Sequence, residues 1–96
     1  MFIKIESNNV FCSEGDDSLI KKIEQEYFIN TNSLIQVEFS DCLISNTFLN
    51  KVVKFEQLIK LYVLVEDGIW NFMTLYFTKK SHNQFQRIKK LIQTRE

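Results

Sequence analysis

Asp67-Gly68 stands between two stretches that both favour extended backbone, Leu61-Tyr62-Val63-Leu64-Val65 before it and Ile69 to Phe77 after it. Asp and Gly tolerate the positive φ of a tight type I′ turn, so the pair predicts a β-hairpin more strongly than any other short signal in the chain. The first stretch is an unbroken apolar run, as expected of a central strand covered on both faces. A sheet is therefore required, and the rest of the chain must supply its neighbours and its cover.

The periodicity elsewhere predicts both. Phe2–Glu6 alternates, Asn8-Asn9 is a turn signal and Val10-Phe11-Cys12 is a second short strand, so a hairpin is expected at the N-terminus. Ser13-Glu14-Gly15-Asp16-Asp17 breaks the chain and offers capping oxygens and first-turn acids. Leu19, Ile20, Ile23 and Tyr27 then recur on one helical face. Ile35, Val37 and Phe39 alternate with Gln36 and Glu38 as a strand. Ser45-Asn46-Thr47 can cap a second helix, whose apolar stripe is Phe48, Val52, Phe55 and Ile59, with Leu49 and Val53 beside it. Ser81-His82-Asn83-Gln84 matches a capping box, and Phe85, Ile88 and Ile92 form the inner stripe of a last helix. The expected fold class is α/β (α+β): a mixed β-sheet with three helices in the order ββαβαββα, making one domain over residues 1–96.

Composition narrows the function classes. The hydrophobic share of 45% supplies a core, although a chain this short buries only about 60–65% of its unfolded surface. No run approaches the ~18 apolar residues of a membrane span, and the N-terminus lacks a signal peptide's apolar block. A cytoplasmic protein is expected. Cys12 and Cys42 are too few and too far apart for a disulfide framework and read as reduced, partly buried thiols. Ala and Pro are absent while Ile, Lys, Asn and Phe abound, which suits an AT-rich coding sequence of bacterial, phage or mobile-element origin. The net charge is zero but uneven. Residues 1–41 hold eight acids against three bases, and residues 42–96 hold nine bases against four acids. That asymmetry fits a dipolar molecule or an electrostatic partner, and not a general polyanion binder.

The segment from Leu34 to Asn50, and within it Ser45-Asn46-Thr47-Phe48-Leu49 with Glu38 upstream, resembles a variant group of STAS-like domains, the family that includes the anti-sigma-factor antagonists. The resemblance covers about residues 34–62. It implies a strand, a small-polar turn and a helix, and a non-enzymatic switch in which a turn serine is phosphorylated by a partner kinase. Ser45 and Thr47 are the matching hydroxyls, while Asn46 stands where the key serine would fall. Ser45, Asn46 and Thr47 are thus the candidate switch or partner-contact turn.

Candidate chemistry is sparse. His82 is the sole histidine and has no partners spaced for a metal site, so it reads as a solvated first-turn residue. A Ser–His or Cys–His pair would need partners that nothing in the sequence brings to His82. Gly15 and Gly68 are too few for a phosphate loop. Glu14, Asp16, Asp17 and Asp41 read as capping and turn acids instead of cation ligands. No enzyme activity, metal or cofactor is expected. Trp70, Phe72 and Tyr76 share one strand face and form a candidate interface for an unidentified protein partner or a homodimer. The same aromatics beside Lys79, Lys80, Arg87, Lys89 and Lys90 would suit single-stranded nucleic acid. The zero net charge places that alternative second to a protein interaction or regulatory role.

Overall fold

The computed structural model describes residues 1–14, 19–48, 50–66 and 69–94, without the side chains at 42, 43, 48, 65, 66, 69 and 70. Asp16, Asp17 and the Asp67-Gly68 turn therefore lie outside the described residues. The strands are β1 (Phe2–Ile5), β2 (Val10–Glu14), β3 (Lys21–Lys22), β4 (Tyr27–Asn30), β5 (Leu34–Phe48), β6 (Lys51–Glu66) and β7 (Ile69–Phe77). A 3₁₀ turn at Lys79–Ser81 leads into the α-helix α1 (His82–Gln93). The protein is mostly β, with one α-helix among the described residues where three helices were expected. The ββαβαββα order is corrected accordingly.

The largest correction is at residues 48–59. The i, i+4, i+7 stripe there belongs to strand: β5 and β6 form a long antiparallel hairpin, from Leu34↔Val63 to Phe48↔Lys51. A period-2 reading competes in the same residues. Val53, Phe55, Ile59, Leu61, Val63 and Val65 all stand at odd positions, interrupted only by Gln57. β-branched and aromatic residues with no alanine among them fit a pleated surface better than a helix. The hairpin turns at Asn50, whose φ of 65° is a left-handed value that asparagine tolerates. Ser45, Asn46 and Thr47 consequently lie in β5 and cap nothing. Residues 34–62 form strand–turn–strand, and not the strand–turn–helix that the STAS-like resemblance implies.

The first helix expected, around Leu19–Tyr27, is also replaced by strands. Lys21 and Lys22 pair with Cys12 and Phe11 of β2, Ile23 N donates to Val10 O at 3.0 Å, and Tyr27–Asn30 pairs with β1. Tertiary pairing here overrides a local helical pattern. The N-terminal hairpin is re-partnered for the same reason: β1 joins β4 in a two-stranded ribbon, and β2 enters the main sheet beside β7. Of the alternating residues in β5, Val37 and Phe39 pack on the core. Ile35 is 56% exposed, because the β5–β6 register shifts between Leu34 and Gln36 and leaves it unpaired.

The sheet order is β3-β2-β7-β6-β5, with every pairing antiparallel. The Asp-Gly reading holds to the extent that β6 and β7 pair, from Glu66↔Ile69 to Gln57↔Phe77. That pairing ends at Gln57, so the β5–β6 hairpin overhangs the sheet as a two-stranded ribbon from Lys51 to Glu56. One face of the sheet is covered by α1 and the β1–β4 ribbon. Ile3, Ile5, Ile29, Phe85, Ile88 and Ile92 close there over Val10, Ile59, Leu61, Leu75 and Phe77.

Polar ties hold this cover in place. Gln84 pairs with Glu6 like a neighbouring strand: its Oε1 accepts from Glu6 N at 2.6 Å and its Nε2 donates to Glu6 O at 3.2 Å. Arg87 donates to Lys4 O at 2.6 Å. The capping box sits one turn earlier than the sequence pattern placed it. Ser81 Oγ accepts from Thr78 N at 2.8 Å, and Thr78 Oγ1 accepts from Lys80 N at 3.2 Å. Ser81 Oγ also donates to Asn9 O at 2.7 Å, fastening the helix entry to the β1–β2 connection.

Candidate anion-binding cleft

The side of the sheet away from α1 has its own aromatic cluster. Phe11 and Phe55 meet edge to face with centroids 5.1 Å apart, and Phe55 lies 5.3 Å from Tyr76. The Tyr76 hydroxyl shares a 2.9 Å hydrogen bond with Ser13 Oγ. Phe11 and Phe55 are 7% and 1% exposed.

Beside Phe11 an open cleft of about 490 Å³ is lined by Asn9, Phe11, Val52 and Val53, by Thr78, and by five lysines: Lys22, Lys51, Lys54, Lys79 and Lys80. The lysines come from three separate places. Lys22 is on β3, facing Phe11 in register. Lys51 and Lys54 ride the overhanging hairpin, and Lys79 and Lys80 form the 3₁₀ turn ahead of α1. Among the described residues no carboxylate lines the cleft. Among the described residues the one salt bridge is Lys4–Glu26, at 3.1 Å and away from this site. Glu24 lines an adjoining hollow that shares Asn9 and Lys22 with the cleft; the other four lysines gather like charge, which repels itself and favours an anion.

The basic residues singled out from the sequence divide into three groups. Lys79 and Lys80 join the cleft. Arg87 and Lys89 are engaged within the fold: Arg87 holds the Lys4 and Gln84 oxygens, and Lys89 Nζ lies 5.6 Å from the Phe39 ring centroid and 5.8 Å from that of Phe85. Lys90 is exposed on the helix, roughly 15 Å beyond the 3₁₀ turn at 1.5 Å rise per residue. Sequence reasoning missed Lys22, Lys51 and Lys54, since only the β2–β3 and β5–β6 pairings bring them to Lys79 and Lys80. The legible trace was Lys51-Val-Val-Lys54 directly after Asn50.

The aromatic set also separates. Tyr76 belongs to the buried cluster, Phe72 pairs with Tyr62 at 5.6 Å, and the Trp70 side chain lies outside the described residues. β7 lies between β2 and β6: β6 pairs with it from Ile69 to Phe77, and β2 from Met73 to Phe77.

Ser45 and Thr47 are exposed on β5, opposite Lys54 and Val52, and Asn46 Oδ1 accepts from Thr47 N at 2.8 Å. His82 Nδ1 sits 2.7 Å from Gln57 Oε1 and its ring stacks on Phe85, which orients it as a surface tie. Cys12 is half-buried and unbonded. Burial, reinforced by Glu14, pushes its thiol up and away from the reactive thiolate, with Lys21 opposing. Burial likewise raises Tyr27, whose hydroxyl points to Met73 Sδ at 3.6 Å. Glu14 and Asp41 lie on β2 and β5, separated by three strand spacings, roughly 14 Å, across the sheet and by four residues along it. Among the described residues no group of three metal-ligating side chains converges, and no helix is long and apolar enough to cross a membrane.

No family model, curated protein or solved structure matches the chain.

Proposed function

We propose that the protein is a non-catalytic binding domain that takes a polyanionic partner in the lysine cleft. One observation carries this reading: five lysines from three distant segments line one cleft, with no carboxylate among its described lining residues. Holding like charges together opposes folding, and a ligand that neutralises them relieves the repulsion. Inorganic polyphosphate tests the reading. Binding is expected to be saturable and to weaken steeply as salt rises from about 50 to 200 mM, since each neutralised charge releases a counterion. Replacing Lys22, Lys51, Lys54, Lys79 and Lys80 with Gln together is expected to abolish it. Salt-independent binding, or none, overturns the proposal.

A second reading, a protein partner or a second copy of the chain, is favoured by the other end of the same hairpin. Leu64 is 47% exposed beside the Tyr62–Phe72 pair, and Ile35 projects from its bulge. Aromatic and aliphatic side chains of this kind are enriched at interface cores. Light scattering at high micromolar concentration is expected to give a dimer mass under this reading, and a monomer mass counts against self-association.

A further inference from the structure

We infer that His82, Gln57 and Asp41 form a latch that sets the angle at which the β5–β6 hairpin leaves the sheet. The latch acts in the free chain, whatever the lysine cleft binds. Pairing of β6 with β7 ends at Gln57, and its side chain is held there from two other elements at once. Gln57 Nε2 donates to Asp41 Oδ1 of β5 at 3.3 Å, and Gln57 Oε1 lies 2.7 Å from His82 Nδ1 of α1. The ends of this chain of bonds fix its direction. A carboxylate oxygen only accepts, so the amide turns its NH₂ to Asp41 and its oxygen to the ring, and His82 carries a hydrogen on Nδ1. The ring is itself positioned by stacking on the buried Phe85. The latch therefore runs from the core, through β6, to β5.

The residues on either side of Glu56 show what the latch works against. Paired residues of neighbouring strands share a face. Gln57 pairs with Phe77, and Phe77 with Val10, which puts Gln57 on the face that α1 covers. Leu58, Tyr76 and Phe11 make the corresponding row on the other face. Alternation along β6 would place Phe55 with Gln57. Its ring instead meets Phe11 and Tyr76, at 5.1 and 5.3 Å. The strand thus turns over between Phe55 and Gln57. The β5–β6 register shifts between Asp41 and Ile44, directly opposite this step, and a bulge of that kind bends a strand and increases its twist.

This corner is fastened on both faces of the sheet. Phe55 is buried in the aromatic cluster on one face, and Gln57 is tied to α1 on the other. A single fastening leaves a ribbon free to rotate about it, whereas two on opposite faces set its angle. With the latch open, Phe55 becomes a pivot, and the hairpin beyond it swings while the five-stranded sheet stays paired.

Amide hydrogen exchange, followed residue by residue on the full chain with circular dichroism melting beside it, tests the latch. Gln57→Ala is expected to speed exchange in residues 44–48 and 51–55 by about two- to tenfold, the factor that one net hydrogen bond supplies to a local opening. Leu75 and Ile88 are expected to exchange as in the parent chain. His82→Phe keeps a ring to stack on Phe85 and is expected to match Gln57→Ala, and the two together to add nothing further, because either opens the same latch. Asp41→Ala is expected to loosen the same amides, and Asp41→Asn, which keeps an accepting oxygen, to leave them as they are. Unchanged exchange in the hairpin, or additive effects of Gln57→Ala and His82→Phe, overturns the latch. Faster exchange that extends to Leu75 and Ile88, with a lowered melting temperature, overturns it as well, since these side chains would then be holding the fold and not the angle.

Discussion

The two faces of the five-stranded sheet use the same kinds of residue for different ends. On the α1 side, apolar side chains close into a core in which Ile5, Ile59, Leu75, Phe77 and Ile88 are fully buried, and the nearby cations Arg87 and Lys89 are bound to backbone oxygen and to aromatic rings. On the opposite side a compact aromatic cluster stops short, and the lysines beside it have no acid among the described residues of their cleft. A count of charges does not distinguish the two. The difference lies in whether folding has already given the cation a partner: where it has, the residue stabilises the cover, and where it has not, the residue is available to a ligand.

Truncation in the core should separate the faces most sharply. Leu75→Ala removes a fully buried side chain from the covered face and is expected to cost about 2–5 kcal/mol in urea unfolding. Phe72→Ala on the other face is expected to cost nearer 1 kcal/mol, the scale of one aromatic pair. Equal losses would break the comparison.

Arg87→Ala comes next, at about 1.5–3 kcal/mol for a hydrogen bond made by a charged donor, with the proposed polyphosphate binding expected to be unaltered. A loss of binding without loss of stability would move Arg87 to the ligand side. Alkaline pH sharpens the contrast further. The dry site of Tyr27 on the covered face favours the protonated phenol, so the unfolded chain releases that proton at lower pH than the folded one. The stability this contributes is fully present below the ordinary value of 10.0 and is lost as pH rises above it. Tyr27→Phe is therefore expected to be less sensitive to pH than the parent chain in unfolding curves taken on either side of pH 10. The smallest effect is expected from Thr47→Ala, an exposed strand position, at under about 0.5 kcal/mol; a larger loss would revive its role as a helix cap.

How much of this could be read from the sequence depended on whether local pattern and long-range pairing agreed. They agree in α1, where Phe85, Ile88 and Ile92 have one reading and one environment, and at Asp67-Gly68, where the flanking strands do pair. They conflict at Leu19–Tyr27 and Phe48–Ile59. Short apolar stripes there satisfy a helical period, but the residues are claimed by β2, β1 and β5. The cleft was the least legible feature. Lys79 and Lys80 carried a signal because they adjoin a helix, but Lys22 acquires meaning only through its register with Phe11. The zero net charge averaged the whole cluster away.

The overhang of the β5–β6 hairpin gives the cleft walls unequal stiffness. Lys79 and Lys80 are set in a knot made by Thr78, Ser81 and the Asn9 carbonyl, as fixed as the core beneath it. Lys51 and Lys54 sit on an arm supported along one edge only, and isolated two-stranded ribbons twist and bend more readily than wider sheets. One part of the cleft lining is therefore firmly tied and another is sprung. For the polyanion proposed above, bending of the arm leaves the packed core undisturbed, so the spacing of charge along the groove is expected to matter more than the exact gap.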